Sequence, residues 1–254
     1  MWGASKRTDR FWSRAASTTP TSAAATCWYN EIPVEISGHN AAKYYEAEQD
    51  LIKFLKKYAD NKKVESAKRA EAIMKLNILR KLVVEAKANT CLEWIEEFLE
   101  SSKKLVVFAW HQNIVNLIYE KFGSIAVKID GSVSSKDRQT AVESFQNDEK
   151  IRLFVGNIKA AGTGLTLTAA SDTCTIELSW SPSDLAQAED RVHRIGQKNG
   201  VCNYYLLAKD TIDDYMMNLI DEKKKVFDML MDGKETDNDT LLNKLMERYL
   251  ETEE

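Results

Sequence analysis

The sequence predicts an α/β fold, a doubly wound and mostly parallel sheet with a helical lead-in before it and one long helix after it. Three observations predict this. From Lys104 to Ala208, short β-branched and aromatic runs alternate with segments of helical period, the layout of parallel strands joined by crossover helices. Residues 151–197 read as strand, loop, helix, with polar groups gathered where the strands end. The 254 residues, 44% of them hydrophobic, suffice for one core with a helical annex.

In chain order, residues 1–28 lack a sustained apolar period and are rich in Ala, Ser and Thr. Lys6, Arg7, Arg10 and Arg14 there face a single acid, Asp9, a composition shared by organellar transit peptides and disordered leaders. Glu31 to Ser37 alternates as a short strand does. From Ala41 to Leu99 the pattern is helical. One stripe runs through Tyr44, Leu51, Phe54, Leu55 and Tyr58, and a second through Ile73, Leu76, Leu79, Leu82 and Val83. A charged loop around Asp60 to Ser66 separates them, and CLEWIEEFLES makes a third helix.

LVVFAW is then a buried strand, His111 to Phe122 a helix, IAVKIDG a strand and Ser135 to Asn147 a helix. The strand Ile151 to Asn157 leads into a glycine loop and a short helix. The strand Cys174 to Trp180 follows, then a helix carrying QAEDRVHRIGQ, the strand Asn203 to Ala208 and a long amphipathic helix from Asp213 to Met231. The acid-rich end from Lys234 holds a short helical pattern at Leu241 to Leu250.

A net charge of −4 requires any nucleic-acid surface to be local. Cys27, Cys91, Cys174 and Cys202 are scattered, without CxxC or zinc-like spacing, as free thiols of a reducing compartment are. No apolar run approaches the length of a membrane span. An intracellular protein with no metal of its own is expected.

Gly162 and Gly164 flank Thr163 and free the backbone for close approach to a ligand, and amides opening a helix after them would favour an anion. A plain turn explains GTG equally well when it is taken alone. Arg191 and Arg194, three apart, share a face if they lie on a helix and could converge on one phosphoryl group; the alternative is a solvated pair.

The longer run narrows the choice. AAGTGLTLTAA, then SWSP, then QAEDRVHRIGQ resembles motifs V and VI of the Swi/Snf-type ATPases of helicase superfamily two. The ELxWxP and QAEDRVHRIGQ wording is most similar to the HepA-related annealing-helicase subgroup, whereas RNA helicases of the DEAD-box class end motif VI in HRIGRTGR. VVFAWHQNIVNLI resembles motif IV, and IDGSVSSKDRQTAVESF the segment called motif IVa. The resemblance spans residues 31–231 and implies a RecA-like C-terminal helicase lobe. Its implied segments are a leader over 1–28, a helical lead-in over 29–100, the lobe over 101–210, a brace helix over 211–233 and an acidic tail over 234–254.

It also implies roles. Arg191 and Arg194 would be arginine fingers; Gly162, Thr163 and Gly164 would couple the nucleotide and DNA sites; Gln187 and Asp190 would orient the arginines. His111, Gln112, Ser132, Lys159, Thr163 and Trp180 would meet DNA, the tryptophan by stacking or wedging at the minor groove. Several readings stay open. His111 is a phosphate contact or a helix cap or surface group, Arg138 a phosphate contact or a structural ion-pair member, and Trp180 a DNA contact or a cover on the sheet end. Ser132 and Ser135 offer hydroxyls for capping. Ser181 stands where many relatives have Asn, removing an amide donor beside Trp180.

No GxxxxGK[ST] and no acidic DExH-type box occurs in the sequence. ATP with Mg²⁺ would therefore be held mainly by a first RecA-like lobe, in the same or a separate chain, and this chain alone is expected not to hydrolyse ATP. The implied function is half of a translocase on double-stranded or branched DNA. The alternatives are a non-enzymatic DNA-binding or regulatory fragment and an RNA-directed helicase.

Overall fold

The computed structural model describes residues 12–14, 27–59, 66–101, 103–161, 164–230 and 238–251. The elements are β1 (Trp12–Arg14), β2 (Cys27–Val34), α1 (Gly38–Ala59), α2 (Ser66–Glu100), β3 (Leu105–Ala109), α3 (Gln112–Phe122), β4 (Ala126–Ile129), α4 (Ser135–Asn147), β5 (Leu153–Asn157), α5 (Ile158–Ala161), β6 (Asp172–Thr175), α6 (Pro182–Glu189), β7 (Val201–Ala208), α7 (Ile212–Leu230) and α8 (Asn238–Glu251). The seven-stranded sheet has the order β1-β2-β7-β6-β3-β5-β4. Strands β2 to β7 are mutually parallel, and β1 lies antiparallel on β2 at one edge. The expected α/β architecture is present.

Strand β3 sits in the interior of the sheet, between β6 and β5, because its side chains are apolar on both faces: all five residues are buried, with Val107 aligned to Val155 on one side and Cys174 on the other. From β3 the chain moves outward to β4, whereas from β5 it crosses back past β3 to β6. The connections thus leave the adjacent carboxyl ends of β3 and β5 in opposite directions. Open α/β sheets bind their ligands in the crevice at such a reversal.

Several boundaries differ from the sequence reading. The second leucine stripe and CLEWIEEFLES form one 35-residue helix, α2, because no Gly or Pro interrupts Ser66–Glu100. The first strand runs over Cys27–Val34 instead of 31–37, paired along its length with β7. The strand expected over 174–180 is confined to Asp172–Thr175, since pairing to β3 and β7 ends there and the chain bends at Glu177. The short helix α5 precedes the glycines, and residues 165–171 are not helical, so no helix N-terminus follows directly on Gly164. Helix α6 ends at Glu189 with Asp190 as its C-cap, which leaves Arg191 and Arg194 in turns and not on one helical face. Capping of α4 falls to Ser134, whose hydroxyl accepts from the Asp137 amide, and not to Ser132 or Ser135.

The C-terminal pattern does form helix α8. Leu245 and Tyr249 are buried in the core, with Tyr249 edge-on to Tyr215 of α7 at 5.2 Å. Tyr44 of α1 ties the same corner: its hydroxyl accepts from the Ile212 amide at 2.9 Å and donates to Glu48 at 2.7 Å. Cys91 and Cys174 are buried free thiols. Burial pushes the first up to about 12 and the second well up, so both are inert side chains of the core. Among the described residues no helix is long and apolar enough to cross a membrane.

Candidate functional site

At the carboxyl end of the sheet, the segments following β3, β4 and β5 line one shallow cleft with Gln112, Gly131, Arg138, Asn157, Lys159 and Ala160. Each wall has a local cause. After β4, the chain turns at Asp130, whose buried carboxylate accepts from the Ser132 amide at 2.8 Å, the Ser132 hydroxyl, the Gln112 amide and Lys128 at 3.2 Å. Burial alone would raise the Asp130 carboxyl, but the bonds from Ser132, Gln112 and Lys128 hold it far below the usual carboxylate range. Arg138 spans the cleft floor, donating to the carbonyls of Val133 at 3.1 Å, Asp130 at 3.1 Å and Ala160 at 3.2 Å. These three carbonyls hold its guanidinium across the cleft, and no ion pair of Arg138 is present among the described residues. Asn157 closes the β5 end, receiving the amides of Lys159 at 3.1 Å and Ala160 at 3.4 Å on its side-chain oxygen.

Asp130 yields a test of this turn. Its folded value lies below its unfolded value near 4, so its contribution is fully present above about pH 4 and is lost as pH falls through the folded value. Asp130→Asn should cost about 1–3 kcal/mol at neutral pH, read from the urea midpoint. The gap to wild type should narrow on acidification below about pH 4, because protonation removes the same charge. Equal midpoints at neutral pH would overturn this.

The second part of the site is aromatic. Trp110, at the end of β3, has the Lys159 ammonium 4.7 Å from its ring centroid and the Arg80 guanidinium at 5.5 Å. Arg80 also lies 4.8 Å from the ring of Trp180, so one buried guanidinium from α2 is shared between two indoles. The Trp180 ring is half-buried, with its N–H donating to Asn77 at 3.2 Å. It follows an irregular segment, not the end of a strand, so the ring both covers this end of the sheet and keeps part of its surface in solvent. Ser181 serves as the backbone N-cap of α6, ahead of Pro182, without a side-chain cap bond.

His111 occupies the N-cap position of α3, yet its side chain makes no cap bond. It turns instead to Glu177, which also accepts the amides of Trp110 at 2.9 Å and His111 at 2.8 Å. Of the expected DNA-contact residues, His111, Gln112, Ser132, Lys159 and Trp180 gather around Trp110 and Asp130. Thr163 and Gly162 lie outside the described residues. Glu177, Arg80 and Trp110 carry this arrangement, and no role was assigned to them from sequence. The available signal was an acid inside the apolar run CTIELSW and a charge inside the leucine stripe of α2.

Motif VI forms a neighbouring cluster with the loop after Gly164. Gly164 sits at φ +71°, the left-handed region that favours glycine, and Gly196 at φ +104°. The Arg191 carbonyl accepts from the Leu167 amide at 2.9 Å. Arg194 donates to the Leu165 carbonyl at 3.2 Å and the Thr166 hydroxyl at 3.0 Å. Gln197 donates to the Ala170 carbonyl at 2.7 Å and accepts from the amides of Lys198 and Asn199 at 3.0 Å each. Arg191 is buried, whereas Arg194, Gln187 and Asp190 are exposed. Burial lowers the Arg191 guanidinium, the charge of Arg194 lowers it further, and Asp190 opposes both. The two arginines therefore share one field although they share no helix. Among the described residues there is no group of three or more metal-ligating side chains.

Comparison with known proteins bears on the family and the fold. Residues 86–196 match the helicase conserved C-terminal domain. Over 146 residues the chain is 47% identical to SWI/SNF-related matrix-associated actin-dependent regulator of chromatin subfamily A-like protein 1 of Xenopus tropicalis, covering 56% of this chain and 16% of that protein. It is 40% identical over 177 residues to the Caenorhabditis elegans homolog, covering 66% and 25% respectively. It is 39% identical over 153 residues to human DNA annealing helicase and endonuclease ZRANB3, covering 59% and 14%. The chain thus spans a quarter or less of the length of these curated relatives.

Among solved structures, the Sulfolobus solfataricus SWI2/SNF2 ATPase core in complex with dsDNA is similar with a TM-score of 0.66 at 22% identity, over 88% of this chain and 50% of that one. The C-terminal part of the Fun30 ATPase domain is similar with a TM-score of 0.59 at 16% identity, over 87% and 98%. These two likenesses establish the fold.

Proposed function

The chain holds the C-terminal helicase domain of a Swi/Snf-family ATPase, and on that premise we propose that it is the second lobe of a DNA-dependent translocase acting on double-stranded or branched DNA. His111, Gln112, Ser132, Lys159 and Trp180 meet the duplex. Arg191 and Arg194 reach the phosphates of a nucleotide held by a first lobe, on the same chain or another. The family's substrate, ATP with Mg²⁺, is then bound mainly outside this chain.

The observation that carries the reading is convergence at one end of the sheet. Polar side chains from the segments after β3, β4, β5 and β6 meet around Trp110 and Asp130, where the strand connections reverse. The arginine cluster suits its part as well. Arg194 is exposed, and its partners Leu165 and Thr166 are neutral acceptors that a phosphate oxygen can replace with a charge-assisted bond. Those partners stand directly after Gly164. In this reading Gly162, Thr163 and Gly164, with Gln187 and Asp190, transmit a change at the arginines to the DNA face.

The test is duplex binding by fluorescence anisotropy across a salt series. Lys159→Ala should weaken binding and reduce the slope of log affinity against log salt by about 1. Trp180→Ala should weaken binding with the slope unchanged, because an indole releases no counterion. Wild-type affinity in both variants would overturn the assignment of this face.

A further inference from the structure

Glu177 places one carboxylate under the start of α3. Its Oε2 takes the amides of Trp110 and His111, and its Oε1 takes Nδ1 of His111. Oε2 is an acceptor by geometry, since both of its partners are backbone N–H groups, and the bonds from His111 and the two amides hold the carboxyl below its usual range against the opposing effect of burial, so Glu177 serves as the acceptor. Nδ1 must therefore carry the hydrogen. In a neutral imidazole, Nε2 then presents a lone pair, which repels a phosphate oxygen. Nε2 is the nitrogen left for a ligand, and the His111 side chain keeps 27% of its surface exposed.

Resting on the duplex-binding reading above, we infer that His111 meets a DNA phosphate only as the imidazolium, with Glu177 as its positioning residue, so that duplex binding takes up one proton at Nε2. The proton comes from solvent, no covalent bond changes, and the Glu177 carboxylate supplies the countercharge.

The other charged groups at this corner come from every packed element. Arg80 of α2 and Lys159 of α5 lie over the Trp110 ring, Glu85 of α2 accepts from Asn113, and Lys128 and Asp130 meet α3 through Gln112 and Asn116. Glu177 is the acid in contact with the ring.

The decisive variant is Glu177→Gln. The two backbone amides need an acceptor, so the Gln oxygen replaces Oε2 and its NH₂ faces Nδ1. Nδ1 becomes the acceptor, and the neutral ring presents Nε2–H outward. For the full chain with a labelled duplex, wild-type affinity should fall as pH rises, by up to about tenfold per pH unit. Glu177→Gln should flatten that dependence, and His111→Ala should be weak and flat. Long-range ¹H–¹⁵N spectra of the three histidines should show Nδ1–H for His111 above neutral pH in wild type and Nε2–H in Glu177→Gln.

An Nε2–H tautomer in wild type, or equal pH slopes in wild type and Glu177→Gln, would overturn the inference. If Lys159→Ala and Trp180→Ala lose affinity while His111→Ala does not, this inference falls and the duplex face stands. If none of these variants loses affinity, both fall.

Discussion

Duplex-stimulated ATP hydrolysis by a two-lobe motor containing this chain should drop by about 10³–10⁵-fold when Arg191 or Arg194 becomes alanine. The size follows from what a guanidinium does in phosphoryl transfer. Negative charge spreads over the phosphoryl oxygens in the transition state, and a pre-positioned fork meets it without solvent reorganisation. The two variants should differ in stability. Arg191 is buried, so truncating its side chain also leaves a void in the packing around the turn. Arg194 is exposed and gives up only the bonds to Leu165 and Thr166, so Arg194→Ala should unfold at nearly the wild-type urea concentration. A hydrolysis rate near wild type in Arg194→Ala, with fold and duplex affinity intact, would reject the finger assignment.

Lys87→Met should destabilise the chain by about 3–5 kcal/mol, the largest single-site effect on folding expected here. The Lys87 side chain is fully buried, donating to the Leu206 carbonyl at 2.6 Å and to the Asp213 carboxylate, which also takes the Ala208 amide at 3.3 Å. These bonds join α2 to β7 and to the first turn of α7. Methionine fills similar volume but strands the Asp213 charge in the core, and an uncompensated buried charge costs more than its pair contributes. Lys87→Met combined with Asp213→Asn should therefore recover part of the loss, a coupling measurable by urea denaturation of both single variants and the double. A single Lys87→Met variant within about 1 kcal/mol of wild type would refute the argument.

How much of the site could be read in advance differs residue by residue. Gln112, Ser132 and Lys159 stood out because they fall in segments whose wording resembles motifs IV, IVa and V. Glu177 and Arg80 did not, since an acid or a base in an apolar run looks the same whether it is solvated or buried. Only its neighbours across the fold distinguish the cases. Arg80 finds Trp110 and Trp180, and Glu177 finds the amides of Trp110 and His111, at sequence separations that no local pattern encodes. The helix expected beneath Arg191 and Arg194 failed for a related reason. Periodicity extends through QAEDRVHRIGQ, but the bonds from Arg194 and Gln197 to the loop at 165–170 favour turns over another helical turn.

By itself the sequence determined the α/β class with its mostly parallel sheet, and the family, because apolar period and motif wording are local along the chain. Tertiary structure alone decided that Arg80 of α2 reaches the two indoles, that motif VI is held as turns against the loop after Gly164, and that His111 faces a buried carboxylate. Each of these depends on a burial or a hydrogen bond between segments far apart in sequence, and desolvation, which sets the strength of such a bond, exists only once the chain has folded.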